Sequence, residues 1–201
     1  MNAAVLESPS AETAPATLPE LRARFRDRKA GLLERFRASR PTVPAAGRMI
    51  RALGKHVDET LLMLWRHTGM PDDAVLLAVG GYGRGELFPH SDVDVLVLLP
   101  PGQGDANEAL RSAIEGFITA CWDIGLEIGS SVRTVDECIA LAQADVTVQT
   151  ALLESRYLCG SRRVFNTFRV ANTGAMDPKA FLRAKTLEMV QRHRKYEDTP
   201  Y

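Results

Sequence analysis

A run of glycines that leads into two aspartates and then into a solid apolar stretch constrains this chain more than any other feature. Residues 80–94 read Gly80-Gly81-Tyr82-Gly83-Arg84-Gly85-Glu86-Leu87-Phe88-Pro89-His90-Ser91-Asp92-Val93-Asp94, and Val95, Leu96, Val97, Leu98 and Leu99 follow. A short, nearly continuous apolar run bounded by turn residues reads as a strand buried on both faces. Side chains two apart on a strand share a face, so Asp92 and Asp94 project together from its start, about 7 Å apart along the chain. Two acids that close repel each other unless a cation sits between them.

Hard divalent cations such as Mg²⁺ take oxygen ligands, commonly one or two protein carboxylates together with substrate phosphates. The upstream glycines leave backbone N–H groups free to approach phosphate, with Ser91 beside them. This is the layout of a metal-dependent nucleotidyl-transfer site. Asp92 and Asp94 are its candidate ligands for Mg²⁺ or Mn²⁺, and Gly80, Gly81 and Ser91 its candidate nucleotide contacts. Arg84 either pairs with Glu86 or reaches a triphosphate. The spacing Gly81-x-Gly83-x-Gly85 is not that of a dinucleotide loop, and no Gly-Lys-Ser/Thr follows, so neither Rossmann nor Walker chemistry is supported.

The same residues resemble the DNA polymerase β-type nucleotidyltransferase superfamily, whose signature is a glycine pair, an Asp-x-Asp strand start and a third acid on a neighbouring strand. The run from Gly80 to Asp94 resembles more narrowly the N-terminal domain of bifunctional uridylyltransferase/uridylyl-removing enzymes acting on the nitrogen regulator PII. So do Asp123-Ile124-Gly125-Leu126-Glu127-Ile128-Gly129-Ser130-Ser131-Val132-Arg133-Thr134, residues 145–156, and the closing Arg192–Tyr196 and Thr199–Tyr201. Ser130 departs from the larger polar residue expected there. The resemblance spans roughly residues 20–201. It implies a polymerase β-like fold, Glu127 as the third metal ligand with Asp123 as the fallback, and transfer of UMP from UTP to a tyrosine hydroxyl of PII with release of pyrophosphate. It also implies a longer protein with hydrolase and sensing domains, of which this chain would be a fragment. No His-Asp dipeptide occurs, so the hydrolase motif is not expected here.

Lys plus Arg and Asp plus Glu number 25 each, so the net charge is zero, against a general nucleic-acid binder. The basic residues nonetheless crowd residues 20–51, which read as a solvated helix face or an electropositive flank. No apolar run reaches membrane-spanning length and no export signal opens the chain, so a cytoplasmic protein with no membrane partner is expected. Cys121, Cys138 and Cys159 are odd in number and widely spaced, and read as buried reduced thiols. His56, His67, His90 and His193 read as packing or surface residues.

Along the chain, residues 1–17 form a tail low in large apolar groups, expected to be disordered. Residues 18–70 form a helical segment, with one helix to about Ser39, breaks at Pro41 and Pro44, and a second helix ending near Gly69. Residues 71–160 form the nucleotidyltransferase core: a strand over 75–79, the glycine turn, the Asp-x-Asp strand, a helix over about 106–124 and a strand over about 126–133. A capping box of Thr134 and Glu137 then opens one helix, and Asp145 caps another that runs towards Gly160. Asp177-Pro178 opens the last helix of the 161–201 extension. The fold class is α/β or α+β. Two other functions remain open at this stage: adenylyl transfer to a protein or small molecule, because metal acids do not distinguish UTP from ATP, and a non-catalytic regulatory domain.

Overall fold

The computed structural model describes residues 17–101 and 108–195; the expected tail over 1–17 therefore lies almost wholly outside the described residues. Helix α1 (Leu18–Arg37) starts where the Thr17 N–H donates to Glu20 Oε2 at 2.8 Å. Helix α2 (Val43–His67) carries Pro44 in its first turn, where a missing N–H has no helical partner to lose. Pro44 thus opens α2 and takes no part in breaking α1. Strand β1 (Val75–Ala78) leads into a single helical turn, α3 (Gly80–Gly83), and strand β2 (Val93–Leu99) follows.

Helix α4 (Glu108–Asp123) crosses to β3 (Ile128–Thr134), which pairs parallel to β2 from Val93↔Ile128 to Leu99↔Thr134. The expected capping box is present: the Thr134 N–H donates to Glu137 Oε2 at 2.7 Å, opening α5 (Val135–Ala144). Asp145 caps α6 (Val146–Leu153) through the Thr147 N–H. The helix does not run on to about Gly160 as its sequence suggests: it stops at Leu153, and β4 (Arg156–Gly160) pairs antiparallel with β1. The Arg-Tyr-Leu-Cys-Gly segment is half-buried throughout and carries no alternation. Its pairing with β1 comes from tertiary contact, which outweighs local propensity. Helices α7 (Arg162–Gly174) and α8 (Pro178–Lys195) follow, the latter capped by Asp177 through the Lys179 N–H at 2.9 Å.

The four strands form one mixed sheet in the order β3-β2-β1-β4, covered on both faces. Leu76, Ala78, Val93, Val95, Val97 and Leu99 face α1, α2 and α4, with Phe117 and Trp65 packed edge to face at 5.4 Å. Val75, Leu77, Leu96 and Leu98 face the other way, onto Val135, Cys138, Leu152, Val164 and Phe168. Each fully buried large side chain of this kind contributes about 1.5–3 kcal/mol relative to its exposed state. Within β2 every residue is buried but one. Asp94 is the exception.

His56 joins the first two helices. Its ring stacks on Phe25 at 5.1 Å, and its Nε2 lies 2.9 Å from the Phe25 carbonyl, while Nδ1 is buried without a partner. Burial holds the imidazole below its ordinary range against the Phe25 carbonyl, with Arg28 and Lys29 on α1 lowering it further and Glu59 on α2 opposing them. A depressed histidine contributes stability that is present above about pH 6.5 and lost as pH falls through the lower folded value. His56→Phe is expected to lower the melting temperature at pH 7.5 by removing one hydrogen bond, worth about 1 kcal/mol. The same substitution should flatten the decline in melting temperature expected of the unaltered chain on acidification.

Candidate active site

Backbone pairing puts the glycine turn against the acid pair. The Val79 N–H donates to the Asp94 carbonyl at 3.0 Å, so the chain enters Gly80 directly beside Asp94. Gly80 has a φ of 57°, a left-handed conformation that glycine adopts without a Cβ penalty, and a Cβ there would sit 3.6 Å from Asp94 Oδ2. On the other side, Gly129 is in register with Asp94. A Cβ on Gly129 would lie 2.5 Å from Asp94 Oδ1. The Asp94 carboxylate therefore occupies a slot between two glycines.

Burial is the main reason the Asp94 carboxyl is held above the usual range, and the Asp92 charge adds to it. An Asp94 carboxyl raised in this way has no compensating positive charge, which is what a divalent cation would supply. Asp92 is exposed just ahead of β2. Glu127 is exposed one residue before β3, which begins two residues later than the sequence suggested, and its carbonyl accepts from the Val93 N–H at 3.0 Å. That contact continues the β2–β3 ladder and brings the Glu127 backbone to the Asp92 end of β2. Among the described residues, no three His, Cys, Asp or Glu side chains gather as a metal-binding group. Asp123, the fallback, is the last residue of α4.

Ser91 is exposed, and its N–H closes a turn onto the Phe88 carbonyl at 3.1 Å. Arg84 is engaged by carboxylates: Nη1 lies 2.7 Å from Glu154 Oε2 and Nε 3.2 Å from Glu86 Oε2. Of the two roles the sequence left open for it, the ion pair is the one observed, extended to Glu154 at the end of α6.

A support for the glycine turn escaped sequence reasoning. Asp58 on α2 takes a two-pronged contact from Arg156 on β4, Nη1 to Oδ2 at 2.8 Å and Nη2 to Oδ1 at 3.0 Å, and accepts from the Tyr82 hydroxyl. Arg156 also donates to the carbonyls of Tyr82 and Gly83 at 3.3 Å each. Bidentate arginine–carboxylate pairing of this kind fixes orientation as well as contributing energy. Burial and Asp58 push the Tyr82 hydroxyl far up, so it remains a donor. The signal was a buried tyrosine between glycines, with partners too distant in sequence to name.

A cavity of about 340 Å³ opens on the Asp94 face, lined by Gly80, Asp94, Gly129, Ser131, Arg133 and Thr147 among others. A larger cleft of about 610 Å³ lies between α6 and α8. Its acids are already engaged, Asp145 and Asp177 as helix caps and Glu188 with Lys185 and Arg192. The Asp94 carboxylate lines the smaller cavity.

A family model described as the nucleotidyltransferase domain matches residues 63–136, which contain β1, the glycine turn, both aspartates and Glu127. Those residues form a nucleotidyltransferase domain. A bifunctional uridylyltransferase/uridylyl-removing enzyme from Ralstonia nicotianae is 56% identical over 76% of this chain and 17% of its own length. Proteins of the same name from Cupriavidus pinatubonensis and Burkholderia mallei are 51% and 49% identical, over 92% and 100% of this chain and 21% and 22% of theirs. The chain thus spans about a fifth of the length of these relatives. A solved toxin–antitoxin structure with AMP-PNP aligns at a TM-score of 0.39 and 16% identity, covering 67% of this chain and 96% of that one. The four-stranded mixed sheet flanked by helices is consistent with the polymerase β-like fold. Among the described residues, no helix is long and apolar enough to cross a membrane.

Proposed function

We propose that this nucleotidyltransferase domain transfers UMP from UTP to a tyrosine hydroxyl of the PII protein and releases pyrophosphate. The observation that carries the reading is the Asp92/Asp94 pair, with the Asp94 carboxylate set between Gly80 and Gly129 in a strand otherwise buried. Relatives 49–56% identical are named for uridylyl transfer, which supports UTP over other nucleotides. In the reaction the tyrosine oxygen forms a bond to the α-phosphorus while the bond from that phosphorus to pyrophosphate breaks, and the phenolic proton is lost.

Asp92 and Asp94 would hold Mg²⁺ or Mn²⁺, and Glu127 would add a third carboxylate from the start of β3. The bare Gly80–Gly81 backbone lets phosphate approach beside the acids, with Ser91 at the same end of β2. A bound divalent cation supplies electrostatic stabilisation of the phosphate oxygens as charge develops on them.

Glu127 and Asp123 separate in their expected effects. Glu127→Gln should cost as much transfer as the Asp92 change, whereas Asp123→Asn, at the end of α4, should cost little. Initial rates of PII labelling decide this; reversed effects would move the third ligand from Glu127 to the end of α4. The reading as a whole is tested by incubating the chain with PII, Mg²⁺ and each nucleoside triphosphate in turn, then measuring the intact mass of PII. Addition of one UMP, from UTP alone, is expected. Addition of AMP from ATP would replace the reading with adenylyl transfer, and no addition from any nucleotide would count against catalysis by this chain.

A further inference from the structure

Arg133 stands on the same face of the sheet as Asp94. The parallel ladder sets Asp94 opposite Gly129, Leu96 opposite Ser131 and Leu98 opposite Arg133, and residues two apart on β3 alternate back to one side. Arg133 is half-buried and lines the same cavity as Gly80 and Asp94. The two arginines nearest the glycine turn are both engaged by acids, Arg84 by Glu86 and Glu154, and Arg156 by Asp58. Arg133 belongs to none of the ion pairs among the described residues. Drawing a guanidinium partly out of water without an anion is unfavourable, and a ligand that brings the anion relieves it.

We infer that Arg133 binds the phosphates of the nucleoside triphosphate beyond the one that reacts, and so selects a triphosphate over a monophosphate. This assignment rests on the nucleotidyl-transfer reading and adds a residue to it. The reacting phosphate must lie at Asp92 and Asp94. From Gly129, opposite Asp94, to Arg133 is four residues, about 13 Å along the strand. Gly80, Asp94, Ser131 and Arg133 all line one cavity, which Thr147 and Val148 of α6 close from the other side. A phosphate chain extended along that floor meets the guanidinium, whose planar fork matches phosphate oxygens.

The test is calorimetric titration, in Mg²⁺, of the unaltered chain, Arg133→Ala, Arg133→Lys and Asp94→Asn. Each is titrated with uridine 5′-(α,β-imido)triphosphate, which resists transfer, and with UMP. Arg133→Ala is expected to weaken the triphosphate analogue by about 10- to 100-fold, the range for a lost charge-assisted hydrogen bond, and to leave UMP unchanged. Arg133→Lys keeps the charge but not the fork and should fall between. It also carries the test if the alanine variant melts early. Equal analogue binding by Arg133→Ala and the unaltered chain, with Asp94→Asn impaired, overturns the Arg133 assignment alone. So does an equal loss for UMP, or unchanged nucleotide binding with a raised KM for PII, which would give Arg133 to the acceptor protein. Failure of the unaltered chain to bind the analogue overturns the nucleotidyl-transfer reading and this assignment together.

Discussion

Asp92→Asn and Asp94→Asn are each expected to reduce UMP transfer by roughly 100-fold or more with unchanged circular dichroism. Loss of one carboxylate weakens cation binding and removes transition-state charge stabilisation worth several kcal/mol, and each 1.36 kcal/mol is about tenfold in rate. The fold does not depend on these side chains: Asp92 is exposed just ahead of β2, and Asp94, partly desolvated in its slot, is the one residue of β2 outside the core. The two substitutions differ in what they do to stability without metal. Burial and the Asp92 charge disfavour the ionised Asp94 carboxyl, so Asp94→Asn should raise the melting temperature of the metal-free chain. Added Mg²⁺ should narrow that gap by stabilising the unaltered chain and not the variant. Activity above a tenth of the unaltered chain in either variant would sink the assignment of the acids.

Two glycine-to-alanine substitutions should fail in opposite ways. At Gly129 the new methyl would sit 2.5 Å from Asp94 Oδ1, the free end of a side chain, which can rotate aside. Gly129→Ala should therefore fold with a melting temperature near that of the unaltered chain but lose transfer by about tenfold or more, since an ångström of misplacement costs rate steeply. At Gly83 the methyl would overlap the backbone carbonyl oxygen of Glu154 and press on the Ala78 carbonyl at 3.1 Å. Backbone on both sides cannot step aside. Gly83→Ala should lose about 3 kcal/mol or more of stability, at or beyond the usual range for overpacking, and lose activity because the fold is lost. Melting curves alongside PII labelling separate the two. A stable, active Gly129→Ala would show that the carboxylate does not need its slot.

The acid pair was readable because every part of its argument is local: alternation along one strand, a glycine turn just before it, and an apolar run after it. The capping residues Thr134, Asp145 and Asp177 were readable for the same reason. What could not be read depends on residues far apart in the chain. Strand β4 pairs with β1 some eighty residues away, and its five residues carry no alternation to set against the helix that precedes it. The Asp58–Tyr82–Arg156 contact joins α2, α3 and β4, so none of its members announces the others. Nothing local marks Gly129, which only the β2–β3 register puts against Asp94. For Arg84 the sequence offered Glu86 or a triphosphate, and its second carboxylate partner, Glu154, arrives from seventy residues on.

The central claim is that the phosphate adjoining the nucleoside is transferred at Asp92 and Asp94. Labelling UTP separately at its α- and γ-phosphates and following the label onto PII tests this most directly. The account predicts that PII gains the α-label and none of the γ-label, and that Asp94→Asn abolishes the gain. Transfer of the γ-label, or α-labelling that survives in Asp94→Asn, would contradict it.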